Sequence, residues 1–297
     1  MKLRDVFIAL ITVLILGTSF VVVKLGVREI PPLLLTSLRF FFAAVPAIFF
    51  VKRPEVPRRF VVSFGLTMGG VQFALLYTAI KLGMPAGLSS VVLVQMQVFF
   101  TVLLAFICLG EKPQPLEIAG GLVAFVGVAL IGVVENSTVQ LVPFVLVSAS
   151  ALAWAAGSII TKVARPNDTF AFVVWSCPVS PLPLFVLSLL VEGRAPVMAA
   201  ILHPSMTSAG AVMFLAYATT LGALGLWIRL LSRYPAAAVA PFGLLVPVFG
   251  ILGTHLLLGE QFTRIEIVGS GLILAGLILS VSATSLGGLR RQGWARP

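Results

Sequence analysis

Long apolar runs alternate along the chain with short polar ones, and the runs exceed what the interior of a soluble domain can use. A window of about 19 residues resolves ten stretches able to cross the roughly 30 Å hydrocarbon core of a bilayer as helices. In the first half they are Val6–Lys24, Leu33–Val51, Phe60–Ile80, Ala86–Leu109 and Leu116–Val134. In the second they are Leu141–Thr161, Phe170–Val191, Ser208–Leu230, Ala236–Leu258 and Ile265–Ser285. The expected fold is therefore an all-α membrane protein with short loops. The first run is longer than a signal-peptide core of about 7–15 residues, and no small-residue cleavage site follows it, so it is expected to stay as the first span.

The pattern repeats. Leu109-Gly110-Glu111 at the end of span four recurs as Leu258-Gly259-Glu260 at the end of span nine. The same offset carries Glu117 onto Glu266, Ile118 onto Ile267, Gly120 onto Gly269 and Gly127 onto Gly276. A slightly different offset pairs Leu16 with Trp154 and Lys24 with Lys162 in spans one and six. Two five-helix halves are expected, residues 1–138 and 139–288, followed by a basic tail, 289–297. An odd number of spans per half makes the second enter the membrane from the opposite side. Such inverted repeats place a substrate near the midplane and expose it alternately to either face.

Composition agrees: 59% of residues are hydrophobic and 10% charged, against about a quarter charged in soluble domains. The net charge of +10 is spread over the loops rather than gathered on one face, which argues against nucleic acid. With the N-terminus in the cytoplasm, Lys2, Arg4, Lys52, Arg53, Arg58, Arg59, Lys112, Lys162, Arg165, Arg229, Arg233, Arg290, Arg291 and Arg296 fall inside. Only Lys24, Arg28, Lys81, Arg194 and Arg264 fall outside. The positive-inside rule then places both termini in the cytoplasm. Cys108 and Cys177 lie in or near apolar spans, with nothing to pair them.

Polar side chains deep in apolar spans are costly and mark candidate pathway residues. Arg39 lies about two turns into span two. It either attracts a substrate carboxylate through its fork of donors or clamps neighbouring helices. Gln72, Gln95 and Gln97 offer donors and acceptors without charge, suited to a zwitterion. Gln95 and Gln97 point about 200° apart, so one of them is expected to join helices instead. Trp154 and Trp175 lie deep enough to line a cavity, whereas Tyr77 and Trp227, near span ends, read better as interfacial anchors. Ser19 and Ser158 are further lining candidates or helix contacts, and His255 a packing or lining residue. Lys24 and Lys162 are gate candidates or snorkelling lysines. Glu111 and Glu260 are expected to tie the turns into the helices that follow them.

Prolines supply a mechanical clue. Pro46 in span two has near-equivalents in Pro178, Pro181 and Pro183 of span seven, so both are expected to kink. Pro241 and Pro247 are expected to interrupt span nine. Gly65 and Gly69 read as close helix packing.

The order of several segments resembles the EamA branch of the drug/metabolite transporter superfamily. They are Gly17-Thr18-Ser19-Phe20-Val21-Val22-Val23-Lys24, Pro31-Pro32 with Leu38-Arg39-Phe40, and Gly83-Met84-Pro85-Ala86-Gly87-Leu88. To these add both Leu-Gly-Glu segments and Val239-Ala240-Pro241 with Leu245-Val246-Pro247-Val248. The resemblance covers nearly the whole chain and implies ten helices and export of amino acids or related metabolites across a bacterial inner membrane, as in the EamA/YddG exporters. It implies a small-molecule substrate and the bilayer as partners, a monomer, and no cofactor or metal. Export of other small metabolites or drugs on the same fold is the alternative.

No Asp or Glu falls in the middle of a span, where ion-driven carriers commonly hold a relay carboxylate. Facilitated movement or exchange is therefore expected. The zinc-protease pair of histidines and the Gly-x-Ser-x-Gly elbow are both missing from the sequence, so an intramembrane enzyme has no motif to rest on. A purely structural membrane protein leaves Arg39 and the prolines unexplained.

Overall fold

In lipid an apolar run has no partner for its backbone polar groups but itself, so it closes them within a helix. The computed structural model describes residues 1–111, 115–134, 141–234, 239, 242–265, 267–276 and 278–279, omitting the side chains of 117, 128, 129, 131–134, 231 and 232. Among the described residues the secondary structure is entirely helical. The helices are α1 Leu3–Glu29, α2 Pro32–Phe50, α3 Arg58–Lys81, α4 Ala86–Leu109, α5 Pro115–Val134 and α6 Leu141–Ala164. They continue with α7 Thr169–Val191, α8 Arg194–Leu202, α9 Met206–Leu230, α10 Leu245–Leu258 and α11 Ile267–Gly276. Seven of these, α1–α4, α6, α7 and α9, are long and apolar enough to cross a membrane; Ile118–Gly127 within α5, α10 and α11 are shorter apolar helices. The short helix α8, with Val197 fully buried, occupies a connection expected to be a plain loop.

The repeated Leu-Gly-Glu segments have a local physical cause. Gly110 and Gly259 both take φ +67° in the left-handed region, where glycine alone meets no Cβ penalty. Each stops its helix with the same pair of bonds. Gly110 N–H donates to Phe106 O and Glu111 N–H to Ala105 O; Gly259 N–H donates to His255 O and Glu260 N–H to Thr254 O. The first bond of each pair is that of the αL helix stop, and the second carries the following N–H further back into the last turn.

Packing follows the same pairing. α4 lies against α6 and α10, α1 against α10, α3 against α6, and α2 against α7. α5 and α11 meet through glycines that answer each other across the two halves. A Cβ on Gly127 would strike the carbonyl of Gly269, and one on Gly276 the carbonyl of Gly120. Only bare backbone permits that approach, which in lipid is where van der Waals packing holds helices together.

Three helices are not regular. Gly65–Val71 in α3 and Phe214–Ala223 in α9 are π-helical, and the offset that superposes the Leu-Gly-Glu segments carries Gly65 onto Phe214. α7 breaks into a 3₁₀ turn at Cys177–Val179 before resuming at Pro181. Pro178 and Pro181 therefore do interrupt α7, with Pro183 just inside the resumed helix. α2, by contrast, runs continuously through Pro46. Pro247 does not interrupt α10; it sits in its first turn, where no intrahelical donor is lost. Pro241 lies outside the described residues, as do the side chain of Glu117, Glu266 and the tail 289–297.

Candidate functional site

The irregular segments of α3, α7 and α9 converge on α2. In a π turn the hydrogen bonds run one residue further than in an α-helix, which frees carbonyls for other donors. Ser180, just after the α7 break, donates to Gly65 O at 2.6 Å, and Thr220 donates to Leu215 O at 2.8 Å. Ser150 of α6 donates to Gln72 O at 2.7 Å, where π turns back to α. Gly65 and Gly69 are bare because α7 leaves no room: added Cβ atoms would meet Ser176 O and the Ser180 hydroxyl. The packing role expected of these glycines is what the geometry displays.

Arg39 sits at the centre of this arrangement, 4% exposed. Its Nε–H donates to Thr220 Oγ1 at 2.9 Å, and its Nη1 group donates to the Tyr77 hydroxyl. The guanidinium carbon lies 4.0 Å from the Phe73 ring centroid and 5.4 Å from that of Phe40. Phe73 and Tyr77 are one turn apart on α3, so a single helix face presents both ring and hydroxyl. Among the described residues no carboxylate forms an ion pair with it. The charge is held by two hydroxyls and an aromatic face. The arrangement ties α2 to α3 and, across the halves, to α9.

Tyr77 was expected as an interfacial anchor; it is instead fully buried, its hydroxyl given to Arg39. Its position one turn from the end of α3 hid this, because α3 ends against other helices rather than at a lipid surface.

Gln72 and Gln95 are 0% and 1% exposed, and neither the amide oxygen nor the nitrogen of either has a hydrogen-bond partner. Thr219 Oγ1 in the α9 π segment is likewise buried and unpartnered. An unsatisfied buried polar group costs about 1–3 kcal/mol, so amides and hydroxyls placed this way suit hydrogen bonding to water or a polar ligand. α3 and α4, which carry the two glutamines, both pack on α6. Gln72 points away from the Arg39 face of α3, being about 100° round the helix from Phe73. Among the described residues Arg39 bonds Thr220 and Tyr77 and neither glutamine.

Other candidates take positions of their own. Gln97 bonds Thr101 in its own helix at 3.2 Å and so does not join helices. Ser19 and Ser158 donate to Leu16 O and Trp154 O within their helices. Trp154 is half-buried against the main core cluster, one turn from Ser150. Trp175 spends its N–H on Val51 O at 2.9 Å, stitching the end of α2 to α7 rather than offering a free donor to a cavity. Trp227 packs with Ala9, Leu230 and Val239. His255 is exposed in the last turn of α10, its Nδ1 2.8 Å from Glu260 O, which removes it from any central lining. Lys24 is half-buried, and exposed Lys162 pairs with Glu111 at 2.5 Å. Metal-holding groups of three or more His, Cys, Asp or Glu are absent among the described residues.

A many-helix membrane protein with unpartnered polar groups buried at irregular helices has the make-up of a transporter. Residues 3–133 and 142–282 each match the EamA-like transporter family, and the chain belongs to it. The chain is 40% identical over 289 residues to a protein of Escherichia coli K12 named "Probable amino-acid metabolite efflux pump", covering 95% of this chain and 96% of that one. A Salmonella typhimurium protein of the same name is 40% identical over 287 residues, with 95% and 96% covered. An uncharacterized transporter of Archaeoglobus fulgidus is 28% identical over 91% of this chain and 96% of its own. A solved crystal structure shares the fold with a TM-score of 0.61 at 19% identity, over 94% of this chain and 97% of that chain.

Proposed function

We propose that the protein exports amino acids or closely related metabolites across a bacterial inner membrane by alternating access. In this reading ten spans form two inverted five-helix halves, both termini are cytoplasmic, and the chain acts as a monomer. The observation that carries it is the pair Gln72 and Gln95, whose four side-chain amide atoms are buried without partners. Two neutral amides supply both donors and acceptors, which suits the ammonium and carboxylate of a zwitterion. Arg39 takes the clamp role, and its charge, without a carboxylate ion-pair partner among the described residues, gives the centre a positive potential that favours a carboxylate. The names of the Escherichia coli and Salmonella relatives support the same substrate class.

Among the described residues the carboxylates lie at or near helix ends or in loops, which supports facilitated movement or exchange in place of a proton relay. Uptake of a panel of labelled amino acids into proteoliposomes tests the reading, with Gln72→Leu and Gln95→Leu beside the parent. No uptake of any amino acid by the parent would move the substrate to other small metabolites. A reporter fused after Val139 is expected to signal outside; a cytoplasmic signal would overturn the inverted repeat.

A further inference from the structure

Glu260 follows α10, and the bonds its carboxylate makes among the described residues reach back to α4. Its Oε1 accepts the N–H of Ala86 at 3.0 Å and its Oε2 that of Gly87 at 3.2 Å, the first two residues of α4. Glu192, following α7, does the same to α2. Its Oε1 accepts from Leu33 N–H at 2.8 Å and its Oε2 from Leu34 N–H at 3.3 Å, while the Ser188 hydroxyl holds Oε2 at 2.6 Å. In each case a carboxylate at the end of a second-half helix takes two free N–H groups that open a first-half helix. Charge-assisted bonds reinforced by the helix dipole make this a strong non-covalent seat.

A third link, Glu29 at the end of α1 accepting from the Ser205 hydroxyl at the start of α9, lies at the same end of the molecule. The approach there is close. Residues 86–93 of α4 are all buried, and a Cβ on Gly87 would meet the Thr254 hydroxyl and the backbone of Ile251 in α10.

The repeat mate of Glu260 behaves differently. Among the described residues Glu111 bonds a lysine and not a helix start; it is 47% exposed at the side chain and paired at 2.5 Å with Lys162, itself 52% exposed. Lys162 is the mate of Lys24, and Lys24 lies within electrostatic range of Glu260. The same lysine–glutamate combination thus occurs at both ends, with the glutamate on a helix start at one and on its lysine at the other.

Resting on the alternating-access reading, we propose that Glu260 and Glu192 are the latch that holds the α2/α4 starting end of the pathway shut, and that their release from α4 and α2 opens it. Lys24 receives Glu260 on release, as Lys162 holds Glu111. The seat suits a reversible latch because both partners lie at helix ends, where parting returns the N–H groups and the carboxylate to water.

A single reporter cysteine, Thr219→Cys, placed in a background of Cys108→Ser and Cys177→Ala, reads the opening through a membrane-impermeant thiol reagent in sealed right-side-out and inside-out vesicles. Leu82→Cys, exposed at the same end as Glu260, marks which face that end occupies. The latch predicts that Glu260→Gln with Glu192→Gln raises labelling from the marker's face about tenfold, with no rise from the other face. Unchanged labelling, or an equal rise from both faces as in general loosening, overturns it. A marker that reacts only from the cytoplasm would refute the topology while the latch is read on that face. A parent that moves no amino acid would refute the substrate reading and leave the labelling result standing.

Discussion

Arg39 Nε–H donates to Thr220 Oγ1 at 2.9 Å, a bond between the second helix of one half and the π segment of the other, both residues buried. With Tyr77 on the far side of the guanidinium, it spans three helices through one side chain. Tyr77→Phe leaves a buried charged donor unsatisfied and is expected to cost about 1–3 kcal/mol, read as a lowered midpoint of thermal unfolding in detergent. Arg39→Lys is expected not to restore the parent, since a single ammonium cannot reproduce the planar fork that meets both hydroxyls. An unfolding midpoint equal to the parent's in either variant would contradict the clamp.

Gln72→Leu and Gln95→Leu are expected to act in opposite directions on stability and transport. Each removes two unpartnered buried atoms, so stability rises by about 1–3 kcal/mol while transport falls. Parallel melting and proteoliposome flux measurements separate this from a packing role, in which both quantities would fall together.

The glycine contact between α5 and α11 is expected to tolerate no side chain. Gly127→Ala and Gly276→Ala, whose Cβ atoms would strike opposing carbonyls, should each destabilise by about 1–3 kcal/mol. Gly271→Ala in the same helix, where nothing lies within 4 Å, should stay within about 0.5 kcal/mol of the parent. Comparable losses at all three positions would mean that helix propensity or lipid contact, not the approach of the two helices, sets the effect.

Equivalent glutamates should differ in worth. Glu260→Gln disturbs charge-assisted bonds at an interhelical seat and is expected to cost about 1.5–3 kcal/mol. Glu111→Gln breaks a half-exposed ion pair, worth about 0–1 kcal/mol. Thermal unfolding of the two variants side by side checks the order.

The apolar spans were readable because lipid demands length, and the Leu-Gly-Glu segments because a left-handed helix stop requires glycine at one position in each half. The break at Pro178 and Pro181 was legible for the same reason, a missing N–H. The π segments were not. Nothing in Gly65–Val71 or Phe214–Ala223 changes the apolar period, and an extra residue in a turn shows only in the hydrogen bonds; the clustered Gly65, Gly69 and Gly70 and the paired Thr219 and Thr220 were the available hints. Tyr77 was misplaced because depth along a span does not say which helix face meets lipid. The seats of Glu192 and Glu260 join residues far apart in the chain, and a carboxylate at a helix end reads locally as a cap for its own turn.

Flux of labelled amino acids into proteoliposomes preloaded with the same unlabelled amino acid tests transport most directly, with a transmembrane pH gradient imposed in a parallel set. Saturable counterflow is expected in the parent, with its loss in Gln72→Leu and Gln95→Leu and no accumulation driven by the pH gradient alone. Counterflow that survives both substitutions, or a pH gradient that drives accumulation without a substrate gradient, would contradict that expectation.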